Sequence, residues 1–204
     1  MFEDLKLKIG YSEMYELAEV PSNINAVLGR FVQFSKTIPG KIELATEQKS
    51  IIGVTTINST YISDNTPHWW AKNVFNEVGD LFVQNKTIAL GKKVYNSIIE
   101  KSYIVTAKAD IIVPVQNPAF DETIQYKQRA DRLEWVRVNL IGKVIVYDDG
   151  SLKPGEYCKL YSGRKDESKG KAIKATIKDI ENSSINTYYV IARVSKNTIL
   201  ILFK

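Results

Sequence analysis

The chain has 204 residues, 44% hydrophobic and 25% charged, a globular balance that excludes disordered, fibrous and collagen-like classes. Its one histidine, His68, and one cysteine, Cys158, exclude multi-histidine metal centres, zinc fingers and intrachain disulfides, so the fold must rest on its core. The net charge of +5 raises nucleic acid as a partner, whereas membrane insertion and export are not expected: no apolar run approaches the roughly 20 residues of a spanning helix, and the opening MFEDLKLKIG has acids and lysines where a signal peptide has an apolar core.

In chain order, residues 11–19 place Met14, Leu17 and Ala18 at a spacing that predicts a short helix, with Glu13 and Glu16 on one face of a turn. Segments 28–34, 41–45 and 50–57 are rich in Val, Ile, Thr and Phe and read as strands. Residues 61–79, containing Pro67, His68, Trp69 and Trp70, read as an irregular aromatic excursion from the sheet. Strands are expected again at 80–90 and 103–115, then a second short helix at 121–133 after Pro118, then a strand at 135–147.

Segment 151–178 holds eight basic residues against three acids, the whole of the net charge. Its only aromatics are Tyr157 and Tyr161 and it carries Gly163 and Gly170, so it reads as a solvated loop leading into a strand at 171–180, with Ile173 and Ile177 on one side. Nucleic acid is therefore not the expected partner. Residues 188–203 form two runs folded about Ser195-Lys196-Asn197 as a terminal hairpin. There are no internal repeats, heptads or Pro-rich linkers. The expected fold is a single mainly β domain over 1–204, of antiparallel sheets in a sandwich or open barrel-like arrangement, with one or two short helices.

The chemical candidates are few. A thiolate–imidazole pair of Cys158 and His68 has no support, because Cys158 lies in a strand-like alternation where a buried, inert thiol is the default. Trp69 and Trp70, with His68, are large apolar area suited either to the core or to a subunit contact. No nucleotide-binding glycine motif is present, and Asp148-Asp149-Gly150 reads as a hairpin turn, not a cation loop. No cofactor or metal is called for. The acidic pair Glu13 and Glu16 remains: two carboxylates in unlike environments can divide acid and base roles and activate water against a peptide bond.

Several segments share one resemblance. Tyr11-Ser12-Glu13-Met14-Tyr15-Glu16 resembles the Tyr-x-Glu-x-x-Glu opening of the intramolecular-chaperone autoproteolytic domain, the glutamic peptidase type that ends phage appendage and tailspike proteins. Leu28-Gly29-Arg30-Phe31-Val32, Lys41-Ile42-Glu43-Leu44-Ala45 and Ile51-Ile52-Gly53-Val54 are similar to that family's next block. Segments 114–121, 129–135, 142–143, 148–150, 155–159 and 197–204 follow in the family's order, so the resemblance spans almost the whole chain.

The resemblance implies a virion context, in which such domains help three chains assemble and then cut themselves off. Gly10 stands where an acidic residue commonly precedes the opening tyrosine, and, with Met1 as the first residue, no fibrous segment to be released is expected. The expectation is therefore a structural component of a virus particle, made in the host cytoplasm, that self-associates, as a trimer by preference, and docks on other virion proteins. The alternative is a self-cleaving intramolecular chaperone with Glu13 and Glu16 as the acid/base pair; His68, Trp69 and Trp70 are the expected interface. A basic-loop module touching packaged nucleic acid is a third reading.

Overall fold

The computed structural model describes residues 10–63, 72–78, 80–96, 101–124, 127–163 and 168–204. The chain divides into two compact units, Met1–Thr66 with Lys127–Lys204, and Pro67–Tyr126. The expected mainly β, antiparallel class is what the chain forms.

The first unit holds one ten-stranded sheet: β1 (Tyr11–Glu16), β2 (Phe31–Phe34), β3 (Ile42–Leu44), β4 (Ile51–Thr56), β5 (Tyr61–Ser63), β8 (Trp135–Tyr147), β9 (Tyr157–Leu160), β10 (Ala172–Lys174), β11 (Tyr188–Ser195) and β12 (Thr198–Phe203). The order is β10-β9-β11-β12-β8-β4-β2-β3, with β1 paired to β8 and to β5. Every pairing is antiparallel except β1 with β5.

The long strand β8 is the hub. Its 13 residues pair with β1 and β4 along one half and with β12 along the other. Val136 and Val138 join Leu17, Val32 and Ile42 in one apolar cluster, whereas Val144 and Val146 join Phe31, Val54, Leu152, Ile199 and Ile201 in another. A strand alternates its faces with period two, so even-numbered residues should share a face. They change face because the register slips opposite Tyr11 and Ser12, and Gly142 follows in the left-handed region at φ +105°. A Cβ at Gly142 would lie 3.0 Å from the Gly10 Cα, so two chain segments cross there at backbone distance.

In the larger cluster Tyr188 stacks on Phe31 and Phe203, with ring centroids 5.2 and 4.9 Å apart, and Cys158 is fully buried beside them. Burial pushes the Cys158 thiol up to about 12, which makes it a small apolar side chain.

Three expected elements differ. Residues 11–16 form β1, not a helix: six residues pair with β8, and this long-range pairing overrides the helix propensity of Glu, Met and Leu. Among its described residues the second expected helix, 121–133, reduces to turns and one 3₁₀ turn, Arg129–Asp131, whose Arg129 guanidinium lies 3.9 Å from the centre of the Trp135 ring. The strand at 171–180 stops at Lys174. Thr176 and Asp179 then form a reciprocal capping box that starts helix α1 (Ile177–Glu181), leaving Ile177 74% exposed instead of packed beside Ile173.

The second unit is dominated by a two-stranded ribbon of β6 (Val83–Asn96) and β7 (Lys101–Pro114), paired over fourteen positions. His68, Trp69 and Trp70 lie outside the described residues.

Candidate functional site

β1 carries the opening tyrosine–glutamate motif. Ser12 and Met14 turn inward and are buried, so Tyr11, Glu13 and Tyr15 line the opposite face. The Tyr11 hydroxyl donates to Glu13 Oε1 at 2.8 Å, the Tyr15 hydroxyl donates to Oε2 at 2.9 Å, and Ser63, the β5 register partner of Glu13, lies 2.9 Å from the Tyr11 oxygen. The Tyr11 hydroxyl is the chief cause, with Tyr15 and Ser63 adding to it against partial burial, of a Glu13 pKa held below the ordinary carboxylate value. Glu13 is an ionised, oriented acceptor, fixed from two strands.

Glu16 is not part of this arrangement. Three residues along a strand it faces the other way, and its carboxylate pairs with Lys41 Nζ at 2.8 Å. The face shared by Glu13 and Glu16 in a helical turn does not exist, so the fold does not bring the two carboxylates together.

On the buried side, Gly10 adopts φ +103°. A Cβ there would sit 2.2 Å from Asn139 Oδ1 and 2.7 Å from the Ile141 carbonyl, so no side chain fits at this position without displacing Asn139. Asn139 is completely buried; its Nδ2 donates to the Ile141 carbonyl at 3.2 Å, and its Oδ1 has no hydrogen-bond partner. The Gly10 carbonyl accepts the backbone N–H groups of Thr60 at 3.1 Å and Tyr61 at 3.4 Å. Beside it Ser12 and Ser59, both buried, share a hydroxyl hydrogen bond of 2.5 Å. Position 10, where the resemblance leads one to look for an acid, is therefore built for glycine in this chain.

Sequence reasoning singled out neither Tyr15 nor Ser63 as holding Glu13, nor Asn139 as the wedge against Gly10. Asn139 had a signal, a lone amide within the apolar run of β8, whereas Ser63 had none, because it reaches Glu13 through a parallel pairing 50 residues away.

The other acidic and basic candidates are engaged locally. Arg193 grips Asp148, with its Nη2 2.7 Å from Oδ2 and its Nη1 3.3 Å from Oδ1, and donates to the carbonyls of Leu152, Ser195 and Lys196. Asp149 accepts from the Ser151 backbone and hydroxyl. In the basic segment Lys159 pairs with Asp179 at 2.6 Å and Lys174 with Glu156 at 2.5 Å.

The Peptidase_G2 family model, described as the IMC autoproteolytic cleavage domain, covers residues 7–191, and the chain belongs to that family. The pre-neck appendage protein of Bacillus phage B103 is 28% identical over 116 residues, which are 56% of this chain and 12% of that protein. The chain thus spans about an eighth of the length of this curated relative. Among solved structures, the C-terminal fragment of bacteriophage phi29 gene product 12 superposes with a TM-score of 0.56 at 22% identity, over 95% of this chain and 99% of the fragment. The pre-mature form of that gene product superposes with a TM-score of 0.57 at 20% identity, over 96% of this chain and 21% of its own length. These likenesses show a shared fold.

Proposed function

We propose that this chain is a single β-rich assembly module of a bacteriophage appendage, a structural part of the virion that acts by self-association and by docking on other virion proteins. Family membership over residues 7–191 is the observation that carries the reading. The name of the B103 relative, a pre-neck appendage protein, supplies the setting. A trimer is the favoured state and host cytoplasm the site of synthesis. His68, Trp69 and Trp70 are assigned to a contact between subunits, as large apolar area needs a cover. Purified particles provide the test: intact-mass and peptide analysis should find the chain in the virion in stoichiometric amount, and its absence there would end the proposal.

A second reading, self-cleavage of the glutamic peptidase type, is favoured by the family's description as an autoproteolytic cleavage domain and by the Glu13 carboxylate, which two tyrosine hydroxyls orient. In that reading Glu13 takes a proton from water, the hydroxide adds to a peptide carbonyl, the C–N bond breaks, and the departing amine receives the proton. Glu16, the other member of the proposed pair, enters only if it leaves Lys41. N-terminal sequencing decides between the readings. An intact start supports the structural module, whereas a uniform new terminus at or before Tyr11 that Glu13→Gln eliminates supports the peptidase.

A further inference from the structure

Ser63 closes β5 beside the Glu13 carboxylate, and neither reading above uses it. β1 and β5 run parallel, with Tyr11 in register with Tyr61 and Glu13 with Ser63. Residues in register on neighbouring strands share a face, so the Ser63 hydroxyl, the Tyr11 hydroxyl and the Glu13 carboxylate converge there. The Tyr11 oxygen lies 2.9 Å from Ser63 Oγ and 2.8 Å from Glu13 Oε1. A phenol has one proton. While Tyr11 donates that proton to the carboxylate, its oxygen accepts the Ser63 proton, which gives a continuous hydrogen-bonded chain from serine through phenol to carboxylate.

A serine hydroxyl is a weak nucleophile until a base takes its proton. Along this chain the Ser63 proton passes to the Tyr11 oxygen as the tyrosine proton passes to Glu13 Oε1, so the phenol stays neutral. Tyr15, donating to Oε2 at 2.9 Å, holds the other carboxylate oxygen and so keeps Oε1 on Tyr11. The described partners of Glu13 are neutral hydroxyls, whereas Glu16, Glu134, Glu156 and Asp179 each face a lysine or an arginine. Its charge is therefore kept for the relay. The serine is within reach of a substrate: Ser63 is half-buried, and Tyr61, two residues before it, is 70% exposed. Among the described residues β5 pairs with β1 alone, and such an edge strand offers its backbone groups to an extended peptide.

We propose that Ser63 is a nucleophile for acyl transfer from the carbonyl of an extended peptide or an activated ester, with Tyr11 as proton relay and Glu13 as proton acceptor. Ser63 Oγ bonds to the carbonyl carbon, its proton moves into the relay, and the carbonyl π pair moves onto oxygen. As that pair returns, the bond to the leaving group breaks, the proton held on Glu13 goes back through Tyr11 to the leaving group, and an ester of Ser63 remains. Water then adds to this ester, giving a proton to the same relay, and Ser63 leaves as the free hydroxyl. The nucleophile is the serine, not a water activated by Glu13, and the proposal holds for a module that never cuts itself.

Acylation of the full chain by 4-nitrophenyl acetate tests it, with nitrophenolate release followed over pH and the acetyl group located by peptide mass mapping. The parent should carry acetyl on Ser63. Its rate should rise with pH through the Glu13 titration and level off above it, because only the carboxylate form accepts a proton. Tyr11→Phe and Glu13→Gln should each slow Ser63 acylation about a hundredfold, and Ser63→Ala should abolish it. Tyr15→Phe keeps the relay but takes one hydroxyl from the carboxylate, so the rising limb should move to higher pH with its plateau retained. A merely structural loss would lower the plateau without moving the limb. Circular dichroism melts show which variants fold, and if Tyr11→Phe or Glu13→Gln does not, the parent's pH limb and its shift in Tyr15→Phe decide. An unlabelled parent, acetyl confined to lysines, a flat pH profile, or a Ser63 rate that a folded Tyr11→Phe leaves unchanged would overturn the proposal.

Discussion

Gly10 and Asn139 illustrate how one residue's geometry can dictate another's identity. The wedge at 2.2 Å and a backbone at φ +103° combine a steric and a conformational cost for any side chain at position 10. Gly10→Ala should therefore lower stability by at least about 2 kcal/mol in urea unfolding; a neutral result would mean that Asn139 moves aside freely. Arg193 poses a second local question. The Asp148 side chain it grips is fully buried, and removing one member of a buried, hydrogen-bonded pair leaves an unpaired charge. Arg193→Ala should cost about 3–5 kcal/mol, and Arg193→Lys should recover only part of it, because an ammonium lacks the planar fork that reaches Asp148 and the Leu152 carbonyl together. Equal stability of the two variants would show that charge alone matters there.

At the scale of elements, some of the fold was legible and some was not, for reasons that can be named. Strand β8 and the β11–β12 hairpin were readable because each joins a long run of β-branched and aromatic residues to a turn-forming boundary. β1 was misread because two glutamates and a methionine at helical spacing mimic a helix turn, while its actual partners lie 45 or more residues away in β5 and β8. Helix α1 did leave a mark, since Thr176 and Asp179 have the spacing of a capping box, but the alternation of 171–178 drew the strand through it.

That cap makes a pH prediction. The Lys159 ammonium, then the Thr176 backbone N–H and hydroxyl, hold the Asp179 carboxyl at about 2. An unfolded aspartate titrates near 4, so the stabilisation is complete above that pH and is lost as pH falls towards about 2. Denaturant midpoints measured from about pH 5 down to pH 2 should fall more steeply for the parent than for Asp179→Asn. Parallel curves would remove Asp179 from the account.

The other test of an element concerns β12, which lies between β8 and β11 within the sheet and buries Ile199, Leu200, Ile201 and Phe203. Ending the chain before Thr198 removes these residues at about 1.5–3 kcal/mol each, comparable to a domain's entire stability, and exposes two strand edges. The shortened product should be insoluble; a cooperative melt near the parent's temperature would contradict the packing described.

For the whole molecule, the candidate site was half legible. Glu13 could be picked from its motif, but the hydroxyls that orient it come from the strand geometry of Tyr11 and Tyr15 and from the parallel neighbour Ser63. Glu13 is held by hydroxyls, whereas Glu16 is tied to Lys41. The proposed assembly role in the virion is the central claim. It is tested most directly by mass spectrometry of purified virus particles grown with the parent chain and, in parallel, with Glu13→Gln. The account predicts the chain in both particles, in equal amount and with the same N-terminus. Absence from the particles, or a shorter N-terminus in the parent that Glu13→Gln abolishes, would contradict it.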